Sequence, residues 1–523
     1  MKMKYFIYAL LIVVMVGCET PFFSTADNIF RTPFEKSDGE KSSEYEEVID
    51  YYKDLAKEFA SISFKTMGKT DSGKPLHLVI YSPDAEFNLA KYRKDRTIIL
   101  INNATDGLGI EGVDATMVLF RNLAQKKIRV PDNVIVVTIP VYNISGKLRA
   151  RNYSEADYDL NSDLIKGDVE NTFSFVKIFQ EVQPDIFIEN GFTSKKEKDF
   201  AHSLTYSTLQ KEQQGSFLGG YIDEVLIPRV TDTLLKRQEQ FKNDSLPKPF
   251  WRPLLIPTTD TPRSTVGYAS LWNCMAIRIN THSYHQKPYK QLVEANYEMM
   301  KAIVEVANAN NAYIKQLKIK QAEALTSLKE YPIRWEIDST QQTTVDLHTF
   351  EIDTITEIVH LDHNKPIVKQ RTYYNKLKVA DKVSVPESYI VPQIWDKVID
   401  RLKANNVEMT TLDKDTTMTV SSYGIDSFKT VAIPFEGHYL HYDTKVAVFE
   451  VKKHFLKGDY IIKIAQPAKQ YLLQTLEPQA PDSFFNWNFF DIIIQQRLID
   501  ELKEEYKEED ARLLFSYPIY RIK

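Results

Sequence analysis

The chain has 523 residues, 43% of them hydrophobic and 26% charged, with a formal net charge of −5. A chain of that size is expected to fold as two or three domains with sizeable cores. The mildly acidic balance gives no electrostatic reason to expect nucleic acid as a partner, and a count of two cysteines excludes a disulfide framework.

The first segment, MKMKYFIYALLIVVMVGC, carries two lysines, an apolar run and a small residue before the cysteine. It reads as a secretory signal, too short to be kept as a spanning helix. Its end, Val-Met-Val-Gly-Cys, resembles the lipobox of bacterial lipoproteins. That resemblance implies removal of residues 1–17, lipidation of Cys18, and attachment to a membrane of the cell envelope through the lipid. Residues 18–41 are polar and mixed, and read as a tether. The second cysteine, Cys274, lies in the apolar run CMAIRI and is expected to be a buried core thiol.

A first helix is expected where Tyr45, Val48, Ile49, Tyr52, Leu55, Ala56 and Phe59 share one face, with Ser43 and Glu46 as a capping box. From there to about residue 330, strand-like and helix-like segments alternate. Strands are expected at 77–82, 97–102, 134–141, 185–190, 202–208 and 274–280, with helices near 112–125, 168–182, 216–240 and 288–330. Apolar strands separated by helices give an α/β domain over 42–330 with a mostly parallel sheet covered on both faces. Such sheets bind ligands at the carboxyl ends of their strands. There the run TIILI enters a glycine-rich loop, NNATDGLGIEG, whose acidic residues are Asp106 and Glu111 and which has no histidine, cysteine or serine.

After residue 331 the texture changes to alternating segments such as TTVDLHTFEID, TMTVSSY, KVAVFEVKKH and DYIIKIA, around one helical run, IWDKVIDRLKANN. This gives a β-rich C-terminal domain over 331–523, in which AKQYLLQTLEPQAPDSFFNWNFFDIIIQQRL returns to helical, aromatic-rich sequence. The charged run 501–510 reads as a solvated face.

The segments NNA…GVDATMVL, IPVYNISG, YDLNSDLIK, PDIFIEN, STVGYASLWN, THSYHQKPYKQLVEANY and LEPQAPDSFFNWNFFD together resemble the zinc carboxypeptidases of the carboxypeptidase A type. They resemble in particular large secreted bacterial members with a β-rich C-terminal extension. The resemblance runs from about 75 to 310 and resumes in the C-terminal domain. It implies a carboxypeptidase-like sheet and a zinc site made of His-x-x-Glu after one strand and a second histidine after another. A glutamate on a further strand would activate the zinc-bound water. Three protein ligands leave the open position that catalytic zinc needs, and the metal brings the water's pKa toward 7.

Carried over residue by residue, the first histidine becomes Asp106 and the ligating glutamate becomes Gly109. The second histidine becomes Gly191, and the general base becomes Asn280. Ser162 stands where the family's substrate-gripping arginine follows DLN, and Asn161 matches its other carboxylate contact. Arg149 or Arg151 corresponds to an upstream arginine, and Arg263 and Tyr268 are further candidate carboxylate contacts. Glycine offers no ligand, and an asparagine amide accepts no proton at neutral pH. The resulting expectation is a carboxypeptidase-like domain with no bound zinc and no intact catalyst, holding a peptide, an envelope fragment or a partner protein in the former cleft.

Two other readings stand beside it. In one, the chain is a zinc hydrolase with relocated ligands, drawing on His202, His282 and His285 around Asp106. In the other, the β-rich domain does the work through an assembly partner. The remaining histidine pairs, His348-x-x-Glu351, His360/His363 and His438/His441, read as strand, surface or turn residues rather than ligands.

Overall fold

The computed structural model describes residues 30–129, 131–192, 202–240, 254–255, 260–281, 289–349, 351–352, 359–360, 367–374, 376–494 and 516–523. Its main sheet contains β1 (Ile62–Gly68), β2 (Leu76–Tyr81), β3 (Thr97–Asn103), β4 (Val134–Ile139), β5 (Ile186–Phe192), β6 (Leu204–Thr208), β7 (Leu254–Leu255) and β8 (Met275–Thr281). Their spatial order is β1-β2-β4-β3-β5-β8-β6-β7. The four central strands, β4, β3, β5 and β8, run parallel to one another. β1, β2 and β6 are joined antiparallel at the flanks, so the sheet is mixed.

The central strands are buried along their length because both faces are covered, which is why their sequences are continuous apolar runs. One face packs against the helices Tyr45–Glu58, Glu111–Ala124, Ile227–Gln240 and Tyr289–Ala309. The other face packs against the helix Glu170–Val182, the short helix Thr265–Ser270 and the C-terminal region. From β3 the chain first adds β4 on one side and then crosses to add β5 on the other. This reversal opens a crevice at the carboxyl ends of β3 and β5, where loop 104–110 sits.

The C-terminal region contains β9 (Glu330–Ile337), β10 (Thr343–Thr349), β11 (Glu351–Ile352), β12 (Val359–His360), β13 (Ile367–Tyr373), β14 (Leu377–Ser384), β15 (Ser388–Val391), β16 (Thr410–Thr411), β17 (Thr416–Thr430), β18 (His441–Phe455), β19 (Tyr460–Lys463) and β20 (Tyr520–Ile522). β9 and β14 form a two-stranded ribbon, and a six-stranded sheet runs β16-β19-β15-β20-β17-β18. The region shares a core with the α/β domain: Tyr389, Leu472, Phe484 and Trp487 cluster with Phe175, Phe179 and Phe187. Inside it, Glu477 is fully buried and accepts hydrogen bonds from the Tyr389 and Tyr423 hydroxyls. Arg521 of β20 pairs with the same carboxylate.

Three local expectations change. The first helix is capped by Glu44 and Glu47, while Ser43 donates to the Asp114 carboxylate. The expected tether is already folded at Thr32, which caps a helical turn Pro33–Lys36 whose Phe34 is fully buried and whose Glu35 pairs with Arg121. The aromatic segment after residue 476 forms turns rather than a long helix, since Pro478 and Pro481 interrupt it. Phe484, Phe485, Trp487 and Phe490 are nevertheless all core residues.

Candidate functional site

The four positions that the resemblance sets against zinc-carboxypeptidase catalytic groups converge. Asp106 lies in the loop after β3, Gly191 near the end of β5 and Asn280 near the end of β8, with Gly191 and Asn280 paired in the parallel ladder. A Cβ built on Gly191 would point at Asn280 Oδ1 (3.2 Å) and Asp106 Oδ2 (3.5 Å). Gly109 packs directly on the same place, where its Cβ would lie 2.7 Å from the Gly191 carbonyl carbon. Two backbones therefore meet where ligand side chains would have to stand, and such an approach admits glycine alone. Asp106 Oδ1 is engaged by its own loop, accepting from the N–H groups of Leu108 (3.1 Å) and Gly109 (2.8 Å).

Around this point lies a layer of buried charge that the residue-by-residue comparison did not single out. Glu189 of β5 stands opposite Arg278 of β8 in the ladder. Arg278 donates to Asp260 (3.3 Å) and to Asn161 Oδ1 (3.2 Å). The same Asn161 oxygen accepts from the N–H and hydroxyl of Thr265. Asn102 donates to Glu189 (3.1 Å), and Thr281 donates to Glu111 (3.0 Å). Burial pushes the Glu189 carboxyl up to about 7, against the pull of Arg278. Burial likewise pushes Glu111 up to about 7, and the negative charge of Asp106 adds to it. Arg278 would be lowered by its burial, but Asp260 and Glu189 more than offset this and hold it firmly charged. A charged residue directly following or interrupting an apolar run, Glu189 after IFI and Arg278 within MAIRI, was the signal in the sequence.

Of the expected substrate contacts, Asn161 and Arg151 lie at the cluster. Asn161 is committed to Thr265 and Arg278, and the Arg151 carbonyl packs on Gly107 while its guanidinium binds Asp157 (2.8 Å) and the Ser154 carbonyl. Arg149 pairs with Glu155. Arg263 and Tyr268 serve elsewhere. Arg263 grips Asp482 (2.6 Å) and covers the Trp487 ring, fastening the C-terminal region. Tyr268 is wholly buried, with its hydroxyl between Gln180 and Asn405, so it offers a substrate nothing.

His202 accepts from the backbone N–H of His348 (3.3 Å) with the two rings edge to face, which places it against β10. His438 meets Asp168 (2.8 Å) and His441 meets Asp491 and Thr430. Cys18, His282, His285, His363 and Phe350 lie outside the described residues. Cys274 is buried, and burial raises its thiol far above the ordinary range. Zinc does not fit the converging positions. Two glycines and an amide supply no ligand set for it, and the one carboxylate is already engaged. Among the described residues no group of three or more His, Cys, Asp or Glu could hold a metal ion. No helix among them is long and apolar enough to cross a membrane.

No family model and no curated protein matches the chain. Among solved structures it is similar to the metallo-carboxypeptidase from Burkholderia cenocepacia, at 12% identity over 51% of this chain and 70% of that one, with a TM-score of 0.39. Carboxypeptidase A from Helicoverpa armigera is similar at 13% identity, over 52% and 74%, with a TM-score of 0.40. A metallo-carboxypeptidase from Pseudomonas aeruginosa is similar at 10%, over 51% and 69%, with a TM-score of 0.37. In each case the aligned part is about half of this chain.

Proposed function

We propose that the protein is a non-catalytic carboxypeptidase-like module that holds a peptide, an envelope fragment or a partner protein in the former active-site cleft. The observation that carries this reading is the packing of Gly109 on Gly191, which fills with backbone the space that a metal and its ligands need. Asn280 cannot serve as the base that such chemistry requires. The charged layer beneath, from Glu189 through Arg278 to Asp260, is internally paired and supports the floor of the cleft. Metal analysis of the purified chain, with hydrolysis of peptides carrying free C-termini, tests the reading. No bound zinc and no release of C-terminal residues are expected; one zinc per chain with turnover would overturn it.

The N-terminal sequence supports export and attachment to the cell envelope by a lipid on Cys18. Metabolic labelling with a fatty acid should mark the wild type and fail to mark Cys18→Ala.

A further inference from the structure

The chain enters the α/β domain at one pole of the main sheet. β1 is antiparallel to β2, and β2 to β4, so β1 runs in the same direction as β3 and β4. Its first residue, Ile62, therefore lies at the amino ends of the central strands. There the Ile62 N–H donates to the carbonyl of Phe59, which caps the helix Tyr45–Glu58. The Phe30 ring packs edge to face on Phe59 at 5.5 Å, and the Phe30 carbonyl accepts from the Tyr51 hydroxyl. Nearby, Glu35 pairs with Arg121 in the last turn of the helix Glu111–Ala124, which returns from the crevice to this same pole. The crevice itself lies beyond the carboxyl end of β3, and the seven residues of that strand set the two poles roughly 23 Å apart.

The loops leading into β3 and β4 sit side by side at the pole of entry, since Thr97 pairs with Val134 and its N–H donates to the Asn133 carbonyl. Residues 91–96 read KYRKDR and residues 126–133 read KKIRVPDN, seven basic residues against two acidic ones. Asp84 and Glu86, in the loop after β2, take up Arg96 and Lys91. Asp185, just before β5, pairs with Lys315 and Lys318 from outside these loops. Lys94, Lys126 and Arg129 are exposed, so the pole presents a cationic surface.

We propose that this pole is the face the protein turns to the bilayer, with its basic loops on anionic lipid headgroups and the former cleft opening away from the membrane. The inference rests on the reading of Cys18 as the lipidated residue. Eleven residues, 19–29, separate Cys18 from Phe30. Even fully extended, that stretch reaches no more than roughly 40 Å, and it joins the domain at the pole opposite the crevice. Attraction between basic side chains and anionic headgroups fades within a Debye length, about 8–10 Å. The short leash brings the cationic pole into that range, and the charge then fixes which way the domain stands.

The test adds the full-length lipidated chain to preformed vesicles of phosphatidylethanolamine and phosphatidylglycerol whose headgroups carry an energy-transfer acceptor. A donor dye is placed on Lys94→Cys at the pole of entry or on Tyr153→Cys in the exposed loop near the crevice. The buried Cys274 stays unlabelled. Transfer is expected to be at least twofold more efficient from position 94 than from position 153. The difference should shrink in Lys126→Glu/Arg129→Glu and at high salt. Equal transfer, stronger transfer from position 153, or a difference indifferent to charge reversal and to salt would overturn the proposal. Fatty-acid labelling of the same chain separates the two readings. A chain that takes no label at Cys18 loses both the anchor and this orientation, whereas a labelled chain with equal transfer loses the orientation alone.

Discussion

Two buried carboxylate clusters in this molecule differ in where their partners come from. In the C-terminal region, Glu477 is surrounded by the Tyr389 and Tyr423 hydroxyls and by Arg521, so one anion meets two donors and a cation. At the ends of β3, β5 and β8, Glu189 accepts from Asn102 and faces Arg278, Glu111 accepts from Thr281, and burial raises both carboxyls to about 7, as it also raises Glu477. The first arrangement fixes a fold, since three separate segments must be present for the charge to be satisfied. The second lies within the main sheet, its partners drawn from neighbouring strands and the loops beside them.

The contrast can be broken most severely at Arg521. Arg521→Met leaves Glu477 buried beside two tyrosines, and a loss of about 3–5 kcal/mol is expected in urea unfolding. A loss below 1 kcal/mol would show that the cluster does not hold the sheet together. Next comes Gly109→Ala, whose Cβ would press on the Gly191 backbone at 2.7 Å. A destabilisation of about 1–3 kcal/mol is expected, as for overpacked cores. Gly191→Ala, whose Cβ meets side-chain oxygens at 3.2 and 3.5 Å, should cost less. Equal effects would mean that the backbones are not in contact.

The raised carboxyls of Glu111 and Glu189 predict a slope in stability against pH. Both shift from 4.5 to about 7 on folding, mainly through burial, so the native state binds their protons more tightly than the unfolded chain does. Their contribution is fully present below about pH 4.5, declines as the pH rises to about 7, and is level beyond. Glu111→Gln should flatten part of this decline in thermal melts recorded across that range. An unchanged profile would place the titration elsewhere. The smallest effect is expected for His438→Ala, which removes a partly exposed pair with Asp168 and should cost at most about 1 kcal/mol.

Much of this was legible in the chain because the signals were local. TIILINN and VIVVTI carry the continuous apolar pattern of strands buried on both faces, and the structure places them at the centre of the sheet. Asp106, Gly109, Gly191 and Asn280, set side by side by the resemblance, lie close together in space. What escaped depended on partners distant in the chain. Nothing near Tyr268 announces that Gln180 and Asn405 enclose its hydroxyl, nor does anything near Arg263 point to Asp482. β1 was missed because half-exposed edge positions weaken its alternation. The Gly109–Gly191 contact could not be read at all, since glycine leaves no side-chain pattern and the packing is between backbones.

The placement of β20 constrains the order of assembly. Residues 520–522 lie between β15 and β17, so a strand of three residues is an interior member of the six-stranded sheet. About a hundred residues or more separate it from either of those neighbours, and contacts that distant form slowly. Until it is synthesised and docked, the two halves of the sheet have no edge in common, and Glu477 lacks its cation. Trimming those few residues should therefore uncouple the sheet as a whole rather than fray its margin.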